Sequence, residues 1–241
     1  MNIINNNSNV FNGCVFGKGL VINNGRIVNG GTTKSQKFDE TKSEASKNVK
    51  KITIISTFCD VDVSSVSSSS KIEAHLHGEA VLDGKLTFDV TMVNHELKIE
   101  VKSTGNCFGG NLSLDVSIPK KTFDVLCVKG TSADITLNEG ISVDYLMVNT
   151  TSGDLETRSC FSSCLISTMS GDVDLLVDAS QNITAKISTM SGDVSAEFNN
   201  IRHIEASTST MSGKVKNRNK ATGRYNAVLD VSTMSGDISI R

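Results

Sequence analysis

Few residues in this sequence combine the types and spacing that metal binding or catalysis requires. His75 and His77 stand two positions apart, which places both imidazoles on one face of a β-strand and could begin a metal site. No third ligand lies near them in the sequence, so two exposed strand histidines are the simpler interpretation. Cys160 and Cys164 stand four apart, with no second pair of Cys or His beside them. The sequence therefore predicts neither a metal site nor a cofactor.

A second set of candidate ligands belongs to a short motif, Ser-Gly-Asp, that recurs in the second half of the chain. Its five glycines are Gly153, Gly171, Gly192, Gly213 and Gly236, at spacings of 18, 21, 21 and 23 residues. The residues that follow them are Asp154, Asp172, Asp193, Lys214 and Asp237, and Asp134 holds the same place in an earlier unit. A carboxylate column can bind Ca²⁺, but calcium-binding repeats place Gly-Asp pairs far more densely than here. We expect turn-forming residues, with glycine supplying a positive φ and each aspartate accepting N–H bonds in its own turn.

Four methionines share one position, two residues before the turn glycine. They are Met169, Met190, Met211 and Met234. Strand alternation predicts that the threonine before each points inward and that the methionine points outward. An exposed stripe of flexible, polarizable side chains suits adaptable protein binding, so these residues are a candidate interaction stripe. The alternative is a kink at the turn that tucks each methionine under a corner.

Catalysis has weak support in the sequence. There is no Gly-x-Ser-x-Gly elbow and no phosphate-binding Gly-Lys-Ser/Thr loop, so no catalytic residue is assigned. A basic group near Asp193 could form a cleft of the kind found in polysaccharide lyases, although a solvated surface is the simpler interpretation. Its members are Lys214, Lys216, Arg218, Lys220 and Arg224. The sequence favours a non-enzymatic structural scaffold for protein interaction or self-assembly. The alternative is a carbohydrate-active β-helix that binds or cleaves a polyanionic glycan.

The repeat predicts the fold. Apolar residues alternate on both sides of each turn, which is the strand period of two, and a unit of about 20 residues with a fixed turn is typical of stacked repeats. The positions five before the glycine are Val148, Ile166, Ile187, Thr208 and Val231. The prediction is an all-β, single-stranded parallel β-helix, or β-solenoid, with regular coils over residues 122–241.

Three regions follow from the same pattern. Residues 1–31 form an N-terminal Gly/Asn-rich strand element with a hairpin signal at Asn23-Asn24-Gly25. Residues 32–50 are polar and charged and are expected to be a linker, with room for a short helix. Residues 51–241 form the β-solenoid. The last unit ends at Arg241 without a cap, so we expect an open end and a homo-oligomer or end-to-end assembly.

Composition excludes some partners. The chain has 24 Lys+Arg against 26 Asp+Glu and a net charge of −2, which argues against nucleic acid. No stretch approaches the ~18 apolar residues of a membrane-spanning helix. The first residues lack a basic start and an apolar run, so we expect no signal peptide, a cytoplasmic location and free cysteines; a surface location is open if another route exports the chain.

A family resemblance follows from these motifs. Alternating strands, the pair Ile118-Pro119 and the repeated Ser-Gly-Asp turns resemble an adhesin-like, domain-of-unknown-function family of bacterial β-solenoids. The resemblance covers about residues 50–241 and does not extend to residues 1–31. It implies a right-handed parallel β-helix and an adhesin-like scaffold with no agreed activity. Members are often exported or anchored to a membrane.

Overall fold

The computed structural model describes residues 9–11, 14–17, 20–23, 26–29, 34–218 and 223–241. The described N-terminal residues form four short strands, β1 (Asn9–Phe11), β2 (Cys14–Gly17), β3 (Leu20–Asn23) and β4 (Arg26–Asn29). They make an antiparallel sheet in the order β1-β2-β3-β4. The predicted turn at Asn23-Asn24-Gly25 lies partly outside the described residues; the strands on either side of it pair up to Asn23 and Arg26.

The other strands build two large sheets. In chain order they are β5 (Lys34–Ala45), β6 (Lys51–Ser56), β7 (Asp60–Val66), β8 (Lys71–Leu82), β9 (Leu86–Val93), β10 (Glu96–Ser103), β11 (Cys107–Pro119), β12 (Thr122–Gly130), β13 (Ile135–Leu137), β14 (Ser142–Ser152), β15 (Leu155–Thr157), β16 (Cys160–Ser170), β17 (Val173–Asp178), β18 (Ile183–Ser191), β19 (Val194–Asn199), β20 (Ile201–Ser212), β21 (Val215–Asn217), β22 (Tyr225–Ser235) and β23 (Ile238–Ile240). The first large sheet runs β20-β22-β18-β16-β14-β12-β6-β10-β9, and the second runs β21-β23-β19-β17-β15-β13-β7-β11-β8-β5. A 3-10 helix over Ser46–Asn48 joins β5 to β6.

The alternating pattern of the sequence explains why these segments are strands and why two sheets face each other. Every second residue of a strand such as β18 is buried, and the buried sides of both sheets meet in one hydrophobic core. Equivalent residues of adjacent units in a sheet are paired; Ile166, for example, pairs with Val148 on one side and with Ile187 on the other. The predicted all-β class with parallel-rich sheets is confirmed.

Spatial order differs from chain order at the C-terminal end. The last unit, β22 and β23, lies between the unit β18–β19 and the unit β20–β21, so the predicted open end at the last unit is wrong. We call each such unit, two strands joined by a turn, a coil; the terminal coil is β20–β21. Its inward positions carry Thr208 and Asn217, where β22 and β23 carry Val231 and Ile240. Because apolar side chains need cover on both sides, the more apolar unit takes the inner place and the more polar unit takes the end.

The other end of the two sheets also departs from a simple winding. Strand β6 lies between β10 and β12, and β9, β8 and β5 add antiparallel pairs at this end. The predicted linker over residues 32–50 is wrong where the structure describes it, since β5 pairs with β8 from Lys34 to Ala45. A strand at the edge of a sheet can be polar and charged because one of its sides faces water, and such charges discourage pairing with other chains.

Candidate functional site

The turn aspartates form a ladder between coils. The Oδ1 atom of Asp172 accepts the backbone N–H of Asp193 at 2.8 Å, and the Oδ1 atom of Asp193 accepts that of Asp237 at 2.7 Å. The same contact links Asp60 to Asp134, Asp134 to Asp154 and Asp154 to Asp172. The expectation that each aspartate caps its own turn is therefore wrong: each one satisfies a donor of the neighbouring coil, which holds the two turns in register.

This ladder accounts for the lysine in the column. Lys214 donates its backbone N–H to Oδ1 of Asp237 at 2.8 Å, and it belongs to the terminal coil. No further coil of the described chain lies beyond it, so a carboxylate at this position would have no N–H to accept. The break in the Ser-Gly-Asp pattern therefore marks the end of the stack.

The turn glycines are required by the distance between coils. A Cβ atom on Gly192 would lie 2.1 Å from the carbonyl oxygen of Gly171, and one on Gly171 would lie 2.1 Å from that of Gly153. The φ angles of these residues are also positive, at 152° for Gly192 and 145° for Gly171. Both conditions exclude other residues, so the glycines let successive turns stack in direct contact.

The methionines lie on the outer face of the first sheet. Met169, Met190 and Met234 are about half exposed, at 51%, 49% and 50%, and Met211 on the terminal coil is 80% exposed. The threonines before the first three, Thr168, Thr189 and Thr233, are buried. The predicted outward direction of the methionine column agrees with these exposures.

A groove runs beside the methionine column. Its volume is about 420 Å³, and its lining includes Met169, Met190 and Met234 together with the serines two residues before them, Ser167, Ser188 and Ser232. The strands beneath are joined by parallel pairing in register, so the large and the small side chains form two straight, adjacent rows. We call this surface, the methionines with the adjacent serines, the Met–Ser face.

The two histidines meet carboxylates that the sequence did not connect with them. The Nε2 atom of His75 lies 2.8 Å from Oδ1 of Asp39, and the Nε2 atom of His77 lies 3.0 Å from Oδ2 of Asp115. The two imidazole rings stack, with centroids 4.8 Å apart. Asp39 and Asp115 come from β5 and β11, the strands on either side of β8. Sequence reasoning missed both because they stand 36 and 38 residues from their partners.

Part of the predicted basic group does gather at one corner. Lys216, Arg218 and Arg241 line a shallow depression of about 310 Å³ together with Asp193 and Asp237. The Oδ1 atoms of these two aspartates already accept backbone N–H groups in the ladder. Lys220 lies outside the described residues. The glycan-binding alternative gains no support from this corner beyond the proximity of charges.

Free thiols occupy two different environments; they are Cys59, Cys107, Cys127, Cys160 and Cys164. Burial raises the pKa of Cys59 and of Cys164 to about 12, and it raises the pKa of Cys127 as well. Cys164 occupies an inward position between Leu146 and Ala185, as expected for a small apolar residue. Cys107 is exposed and Cys160 is partly exposed.

Comparison with known proteins identifies the family. The family described as Toastrack DUF4097 matches residues 44–160 and 161–241. The chain belongs to this family. This agrees with the predicted domain of unknown function. The match begins near the end of β5 and leaves out the N-terminal four-stranded sheet. A comparison with curated proteins finds no match.

One solved structure shows the same fold. The crystal structure of a "putative cell adhesion protein" from Clostridium sporogenes has a TM-score of 0.54 and 11% identity, over 85% of this chain and 99% of that chain. That of a "putative adhesin" from Bacteroides fragilis has a TM-score of 0.46 and 12% identity, over 84% of this chain and 97% of that chain. The first similarity shows a shared fold, and the second is too weak to add to it. Within the described residues, no helix is long and apolar enough to span a membrane.

Proposed function

We propose that this Toastrack chain is a non-enzymatic, adhesin-like β-solenoid scaffold, wound in coils of about 20 residues, and that it binds a second copy of itself through the Met–Ser face. The observation that carries the proposal is the row of half-exposed methionines held on a parallel sheet. The names of the similar solved structures are consistent with a role in adhesion but say nothing of this chain's partner.

The shape of the Met–Ser face favours a second copy as the occupant. A row of half-exposed methionines lies beside a row of smaller serines, both rows line the groove, and both follow the same strands. Two copies related by a two-fold axis could each place the methionine row in the groove of the other, which makes the surface self-complementary. Flexible methionine side chains can adjust to such a contact without a change in the backbone.

The small area of the Met–Ser face limits the affinity of two copies that associate through it. Four strands, β16, β18, β22 and β20, carry the face. At ~4.8 Å spacing, with two rows of side chains ~7 Å apart, they give an area on the order of 250–300 Å² per partner. A standard stable interface buries ≈ 800 Å² per partner. We therefore expect self-association with a Kd in the micromolar range or weaker, which becomes effective when many copies are displayed together.

Positive charge at the terminal coil disfavours association through that end and so favours association through the Met–Ser face. Lys214, Lys216 and Arg218 all belong to this coil or follow it directly, so two copies that met tip to tip would bring like charges together. The same coil has polar residues at inward positions, so a second chain that covered it would bury less apolar surface and bind less tightly. The methionine row ends at this coil and is free of charged residues.

Sedimentation velocity over about 10 μM to 1 mM tests the proposal. We expect a reversible rise in average mass for the wild-type chain and a monomer for the triple variant M169K/M190K/M234K. The matched control is Val93→Lys, since Val93 is 62% exposed on β9 at the other end of the same sheet. Circular dichroism and urea unfolding confirm that each variant is folded. A wild-type monomer at every concentration, or equal loss of association in the control, would contradict the proposal.

A further inference from the structure

We propose that His75, His77 and Asp115 bind one divalent transition-metal ion of the Zn²⁺ type, on the outer face of the second sheet and independently of the Met–Ser face. Within the described residues, the potential ligand atoms of these three side chains all lie within 4.8 Å of one another. Two imidazoles and a carboxylate with an open fourth position are a donor set that Zn²⁺ accepts.

The register of three adjacent strands creates this group. On β8, His75 stands opposite Asp115 of β11, while its Nε2 atom bonds to Asp39 of β5. His77 stands opposite Asp39, while its Nε2 atom bonds to Asp115. Each carboxylate therefore lies beside both imidazoles. Because β8 is hydrogen-bonded along both edges, the backbone of the site is fixed before any ion binds.

The distances fit a metal centre after small side-chain rotations. Ligands ~2.1 Å from a tetrahedral ion lie roughly 3.3–3.5 Å from each other. The His77–Asp115 contact of 3.0 Å is close to that separation, and the widest pair of ligand atoms in the group, at up to 4.8 Å, must close by about 1.4 Å at most. All three side chains are between a third and a half exposed, which leaves room for that movement and a path for the ion.

Charge and position give Asp39 a supporting role. Its contact of 2.8 Å with His75 orients the ring, as a carboxylate does for a metal-binding histidine in many zinc sites. Asp39 and Asp115 also supply negative charge, and the nearby Lys37 on β5 is paired with Glu79 at 3.1 Å. We assign Asp39 as a positioning residue and leave the fourth coordination place to water. Imidazole ligands favour Zn²⁺ over Ca²⁺, which takes six to eight oxygen ligands.

Isothermal titration of the tag-free full chain with Zn²⁺ tests the site, after alkylation of the accessible cysteines, which could bind zinc themselves. We expect one ion per chain, at least tenfold weaker binding for His75→Gln and for His77→Gln, and no binding for the double variant. Asp115→Asn should weaken binding at least as much as either single histidine variant. The same titration with Ca²⁺ should give no heat of binding.

Two further readouts separate coordination from a structural role. Asp39→Asn should weaken Zn²⁺ binding 10- to 100-fold without removing it, and equal affinity would refute the positioning role. Co²⁺ in place of Zn²⁺ should give visible absorption bands typical of four-coordination in the wild type and lose them in His77→Gln. The matched controls are His95→Gln and His203→Gln, which should bind Zn²⁺ like the wild type. No binding by the wild type up to about 1 mM, or one ion retained by the double histidine variant, would overturn the proposal.

Discussion

Replacement of Gly192 by alanine should destabilise the stack for two reasons, the strain of a positive φ and a clash with the neighbouring coil. Gly109 is a matched glycine that separates these two causes. Gly192 and Gly109 have the same φ of +152°, but a Cβ on Gly192 would lie 2.1 Å from the oxygen of Gly171, whereas a Cβ on Gly109 would meet nothing within 4 Å. The strain of a positive φ, of order 1–3 kcal/mol, applies to both variants. The reduced freedom of the unfolded chain also applies to both and cancels in the comparison.

The difference between the two variants measures the contact between coils. To reach an ordinary contact distance, the coil of Gly192 must move away from the coil of Gly171 by more than about 1 Å. This movement lengthens the bonds that cross the gap, from the N–H of Gly171 to the carbonyl oxygen of Ser191 at 3.0 Å and from the N–H of Val173 to that of Asp193 at 2.9 Å. Loss of two such bonds costs about 1 kcal/mol each. We expect G192A to lower the free energy of unfolding by ~3–5 kcal/mol and G109A by ~1–3 kcal/mol.

Equilibrium unfolding in urea measures both values, and tryptic digestion shows whether the loss is confined to the coils around the turn. Similar values for the two variants, with a difference below ~0.5 kcal/mol, would refute the claim that the glycines are required by stacking.

Two other predictions concern buried side chains. The hydroxyl of Thr189 is buried and finds no hydrogen-bond partner among the described residues, so Thr189→Val should raise the free energy of unfolding by about 1 kcal/mol. Thr150→Val should lower it, because that hydroxyl donates to Ser152 at 3.1 Å; urea unfolding of both would show the opposite signs, and two equal signs would contradict the account. Since burial raises the pKa of Cys59 and Cys164 to about 12, iodoacetamide at pH 8.5 should modify Cys107 in the folded chain and spare these two. Mass mapping of tryptic peptides reads the result, and modification of Cys164 as fast as Cys107 would contradict it.

The repeat made the local structure predictable. A buried residue such as Ile187 and an exposed residue such as Met190 could be assigned from alternation because side chains of a strand point to opposite faces in turn. The described part of the segment over residues 32–50 was misassigned because an edge strand such as β5 (Lys34–Ala45) can be polar and charged and then shows no alternating apolar pattern. The role of the turn aspartates was misassigned for a different reason: the accepted N–H belongs to a coil 18 to 74 residues away in the chain.

The sequence by itself determined the all-β class, the position of the turns, the outward methionines and, through Lys214 and Asn217, a polar unit. Only the tertiary structure decided that this polar unit is the end of the stack and that the last unit lies inside it, since the order of coils depends on which apolar faces can cover each other. It also brought Asp39 and Asp115 to the two histidines, because strand pairing joins residues that are distant in sequence. Periodicity is a local property and can be read along the chain, whereas the choice of neighbour is settled by burial over the whole molecule.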